Sequence, residues 1–62
     1  MNIDLLTKGW MNAIENGDIE WYSVEDARDC LTSYFKPSPF FKKDIKAAVN
    51  AIITKAQELD VI

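Results

Sequence analysis

The sequence predicts an all-α fold, a small three-helix bundle with a long C-terminal helix, and three observations carry that prediction. Apolar residues recur at three- and four-residue steps through three stretches of the chain. Each stretch is bounded by residues that cap, turn or break a helix. The chain has 62 residues, room for one domain spanning 1–62, because so short a domain buries only about 60% of the surface its unfolded chain exposes. A composition of 48% hydrophobic, 27% charged and 11% aromatic residues fills a small core and excludes a disordered chain.

The first helix is expected over 2–16. Asn2 caps it, and Ile3, Leu6, Trp10, Ala13 and Ile14 fall on one face, with Asp4, Lys8, Asn12 and Glu15 on the other. Asn16-Gly17 ends it, since glycine takes the left-handed conformation without a Cβ clash. Gly9 lies inside this helix at a cost of about 1 kcal/mol relative to alanine, which predicts either a close neighbour there or a weak helix.

Asp18 to Tyr22 alternate polar and apolar without a partner strand and read as a linker. Ser23-Val24-Glu25-Asp26 then resembles a capping box with Asp in place of Glu or Gln, and it opens a second helix over 23–35. Val24, Ala27, Cys30, Leu31, Tyr34 and Phe35 form its inner face. Lys36-Pro37-Ser38-Pro39 breaks the chain. Ser38 as cap and Pro39 as first helical residue predict a third helix over 39–59, about 30 Å long. Its apolar arc, Phe41, Ile45, Ala48, Val49, Ile52, Ile53, Ala56 and Leu59, is wide enough to receive both shorter helices. The expected core is Leu6, Trp10, Ile14, Val24, Ala27, Leu31, Tyr34, Phe41, Ile45, Ala48, Ile52 and Ala56.

The chain contains no His, which removes the commonest general base, metal ligand and pH switch together. It has no P-loop, no Gly-x-Gly-x-x-Gly and no Cys-x-x-Cys. Glu25 and Asp29 are adjacent on the second helix but solvated, and a solvated acidic face is the plain reading of them. The sequence therefore points to no catalytic residue, no cofactor and no metal, and to a protein that is not an enzyme. One Cys cannot form a disulfide within the chain, and Cys30 is expected on a buried face, so a reducing, cytoplasmic setting follows. The opening residues carry no basic stretch and the longest apolar stretch, Ala47 to Ile53, is interrupted by Asn50, so neither a signal peptide nor a membrane partner is expected. The initial Met1 suggests a complete small reading frame.

Charge is unevenly spread. Residues 1–35 hold seven acids against Lys8 and Arg28, a net of −5, while residues 36–62 hold five Lys against three acids, a net of +2. Lys42, Lys43, Lys46 and Asn50 share one flank of the third helix, an arrangement that fits a phosphate backbone and makes a helix-turn-helix nucleic-acid regulator one alternative. Against it stand a pI of about 4.6, no Arg or Gln near the start of that helix to read bases, and a stiff Pro-Ser-Pro turn. A solvated lysine face is the plain reading.

The run from Glu15 to Asp29 carries six acids and one Arg, a surface able to compete with nucleic acid for a basic groove on another protein. Phe40 is expected to point away from Phe41 and to form a second apolar stripe with Ala47 and Ala51. With outward-facing Leu5, that stripe makes a self-assembling homodimer the other alternative. Trp21 and Tyr22 lie in the linker, one as a hydrophobic staple and the other exposed, or both closing the core. The function expected is a small non-enzymatic protein-binding module, an adaptor, inhibitor or regulatory subunit. Its anchors are Trp21, Tyr22 and Phe40, and Asp18, Glu20, Glu25 and Asp29 steer a protein partner that the sequence does not identify.

Overall fold

Two short polar side chains start the first two helices in the computed structural model, which describes residues 2–62. Helix α1 spans Ile3–Glu15, α2 spans Val24–Phe35 and α3 spans Lys42–Glu58, with no strand among the described residues. The Asp4 amide donates to Asn2 Oδ1 at 2.9 Å, and the Asp26 amide donates to Ser23 Oγ at 3.1 Å. Asp26 returns the favour one residue further out than a standard capping box, its Oδ2 accepting from the Tyr22 amide at 3.3 Å. The first two helices thus begin and end within one residue of the sequence reading.

Helix α1 closes with a Schellman turn: Gly17 has φ +77°, its amide donates to the Ile14 carbonyl, and the Asp18 amide reaches back to that of Ala13. The same turn closes α3, with the Asp60 amide on Gln57 and the Val61 amide on Ala56. There the left-handed position, φ +57°, is held by an aspartate. That conformation strains a residue with a Cβ, and the carboxylate faces the negative end of the helix dipole. Asp60→Gly is therefore expected to stabilise the protein by about 0.5–1 kcal/mol, seen as a higher urea midpoint at unchanged m-value.

The third helix starts later than the sequence suggests. Lys36 keeps helical dihedrals despite preceding Pro37, its amide donating to Thr32, and the Ser38 amide still closes a turn on Phe35. Ser38 thus belongs to the end of α2 and does not cap α3. The first α3 bonds run from the Asp44 and Ile45 amides to the Phe41 carbonyl, and Phe41 has no side chain that could cap the helix. With Phe41 outside the helix, the two phenylalanines exchange their expected roles: Phe41 is 72% exposed, while Phe40 packs against the core.

Helices α1 and α2 both pack on α3 and do not touch each other backbone to backbone. Ala48, Val49, Ile52, Ile53 and Ala56 of α3 are all buried, meeting Ile14 from α1 and Ala27, Leu31 and Phe35 from α2. Aromatic rings fill the space between α1 and α2. Trp10 stacks on Trp21 with centroids 6.0 Å apart, meets the edge of Tyr34 at 5.2 Å, and Tyr34 in turn meets Phe35 at 5.0 Å. Tyr34 therefore serves packing while remaining exposed, contrary to its expected place in the core. Leu6, Trp10, Val24 and Ile45 are half-buried against the core. Cys30 is exposed, because the apolar face of α2 is narrower than its sequence implies. A Cβ on Gly9 would meet open space, and nothing in the structure explains a glycine there. No helix among the described residues is long and apolar enough to cross a membrane.

Candidate functional site

Two stripes of side chains face each other across a groove between α2 and α3. On α2, Arg28, Thr32 and Lys36 recur at steps of four. On α3, Lys42, Ile45, Lys46, Val49 and Asn50 recur at helical spacing, and Phe40 joins them from the connection. The groove encloses about 600 Å³ and is lined mainly by apolar surface. Phe40, Ile45 and Val49 form a floor continuous with the hydrophobic core. Four of the chain's seven Lys and Arg residues stand around it, and no acid is among the residues that line it.

The α3 N-terminus strengthens this positive field. Lys42 and Lys43 occupy the first turn beside Asp44, at the positive end of the dipole, and no side chain caps the amides there. Lys42, Lys46 and Asn50 of the expected basic flank line the groove, whereas Lys43 lies outside it. Sequence reasoning missed the α2 contribution. The signal was present in the four-residue spacing of Arg28, Thr32 and Lys36, but Arg28 is surrounded in sequence by Glu25, Asp26 and Asp29.

A second surface has the opposite charge. Asp18, Glu20, Glu25 and Asp29 are exposed along the linker and the start of α2. Among them Tyr22 is 98% exposed, whereas Trp21 is 8% exposed against Trp10. Trp21 is therefore unavailable as a binding anchor, because it fills the gap that α1 and α2 leave between them. Its burial fixes the linker backbone, as does the bond from the Tyr22 amide to Asp26. Tyr22 is thus presented from a pinned backbone, which lowers the ordering cost of using it as a contact.

No family model, curated protein or solved structure matches the chain. Function is accordingly read from the geometry.

The anchors expected to act together are separated. Phe40 lines the basic groove, to which no residue of 15–27 contributes, so it does not share a surface with Tyr22. Nor does it form a back stripe with Ala47 and Ala51, because Phe40 precedes α3 and packs against the core. At the far end of the molecule Lys55 Nζ lies 2.9 Å from Glu15 Oε1, tying the C-terminal ends of α1 and α3. The hydrogen bond and charge of Glu15 raise the Lys55 pKa above its ordinary 10.5. This lysine is on the opposite end from the groove and is already paired.

Proposed function

We propose that the chain is a small non-enzymatic protein-binding module whose receiving surface is the groove between α2 and α3. The observation that carries this reading is the pairing of an apolar floor, Phe40, Ile45 and Val49, with a rim of Arg28, Lys36, Lys42 and Lys46. Such a surface suits a polypeptide segment with apolar anchors on one side and acids beside them, since the anchors are desolvated on the floor while the carboxylates meet the rim. Rim charges act mainly on the rate of encounter and on the choice of partner. The module class is the one the sequence suggests; in place of Trp21, Tyr22 and Phe40 acting together with acidic steering, Phe40 lies on the floor of a cationic groove. A cytoplasmic setting belongs to the same proposal, because the exposed thiol of Cys30 persists where the surroundings are reducing.

A nucleic-acid reading draws on the same four cations. The apolar floor and the net charge of −3 favour a polypeptide over a phosphate backbone. Affinity capture from a nuclease-treated lysate separates the two when the native chain is compared with Lys42→Glu/Lys46→Glu. The expected result is a protein retained by the native chain and lost by the variant. Binding of duplex DNA that weakens steeply with salt, with no protein retained, would replace this reading by the nucleic-acid one.

A further inference from the structure

We infer that the groove accepts the acidic Tyr22 ridge of a second copy of this chain, so that the protein associates head to tail with itself; the inference rests on the reading of the groove given above. Both halves of the contact are on the same molecule. The groove offers four cations around an apolar floor with no lining acid. The ridge offers the exposed acids Asp18, Glu20, Glu25 and Asp29 together with Tyr22, the most exposed of the large apolar side chains. Charge is thus complementary between the two surfaces, although Glu25 of the ridge stands one turn from Arg28 of the groove on α2. The ridge backbone is held by buried Trp21 and by the Ser23 and Asp26 capping bonds, and no residue of the ridge lines the groove.

A pinned aromatic ring flanked by acids is an economical partner for such a groove. Tyrosine brings a large contact area with few rotatable bonds, and here the backbone that carries it is already ordered. The two surfaces differ, so the contact is heterologous and generates a ring or an open chain. The chain's charge asymmetry acquires a purpose on this account, because each copy presents a negative end to the positive groove of the next.

Sedimentation velocity over a wide concentration range, at about 50 mM and about 500 mM salt, tests the inference. The native chain is expected to gain mass with concentration at low salt and to lose that association at high salt. Lys42→Glu/Lys46→Glu, with a damaged groove, and Tyr22→Ala/Glu20→Lys, with a damaged ridge, should each remain monomeric. All four positions are exposed, and far-ultraviolet circular dichroism verifies that both variants stay folded. Mixed together, the two variants should form a one-to-one complex, because one retains an intact ridge and the other an intact groove. Tyr22→Ala alone should weaken self-association at least about tenfold.

A native chain that stays monomeric at about 1 mM in low salt overturns the inference, as does self-association that both variants retain. A labelled synthetic helix with Leu and Phe on one face and Glu on the others separates this from failure of the groove itself. Binding of that peptide to a monomeric native chain, lost in Lys42→Glu/Lys46→Glu, removes the self-contact and keeps the proposed function. A monomeric chain that does not bind the peptide removes both.

Discussion

Phe35→Ala is expected to leave the chain without a cooperative thermal transition. Phe35 is fully buried at the end of α2 and is among the largest side chains in the core, with Leu31 and Ile52. Truncating a buried phenylalanine costs about 3–5 kcal/mol, whereas a core in so small a domain seldom supplies more than about 3–5 kcal/mol in all. The loss therefore consumes the whole margin. Circular dichroism against temperature reads the outcome, and Phe41→Ala provides the control. Only six residues away, Phe41 is exposed and packs on nothing essential, so its truncation should shift the midpoint by a degree or two at most. A Phe35→Ala chain that melts cooperatively near the native midpoint would mean that the α2/α3 interface is not where the core lies.

The neighbours Trp21 and Tyr22 are expected to behave as opposites. Trp21→Ala removes a buried ring and the stack on Trp10, at a cost of about 3 kcal/mol or more. Tyr22→Ala removes a ring that touches little, and falls within about 0.5 kcal/mol of the native stability. Urea titration of the two variants measures the difference. In Trp21→Ala the remaining Trp10 is also expected to emit further to the red in the folded state, because the ring that shields it is gone. Equal destabilisation by both substitutions would contradict the pinned linker from which Tyr22 is presented.

Much of this architecture was legible in the sequence because it depends on local signals. Asn2, Gly17 and Ser23 mark helix ends through their own hydrogen bonds or dihedrals, and these need no knowledge of the rest of the chain. The α3 face is similarly readable: Ala48, Val49, Ile52, Ile53 and Ala56 bury as their spacing implies. The errors occur where tertiary packing overrides a local rule. Ser38-Pro39 has the form of a helix start, yet Ser38 remains bonded to the end of α2. The sequence leaves Trp21 open between core and exposed anchor, and the gap between α1 and α2 takes the ring into the core. The groove was the least legible feature, since Arg28 and Lys46 are distant in sequence and meet only when α2 folds back on α3.

The separation of α1 from α2 has a consequence for how the molecule opens. Helix α1 has no backbone contact with α2 and buries a single side chain, Ile14, where α2 buries Ala27, Leu31 and Phe35, so α1 is expected to detach first, breaking the Trp10–Tyr34 contact and the Glu15–Lys55 pair as it goes. Such partial openings have their own free energies, lower than that of global unfolding. Amide hydrogens of α1 would then exchange with solvent ahead of those in the centre of α3, around Val49 and Ile52. Each opening event would carry Trp10 away from Trp21 and release the linker that holds Tyr22. The Tyr22 ridge thereby inherits the lifetime of the α1 contact, although α1 contributes no residue to the groove.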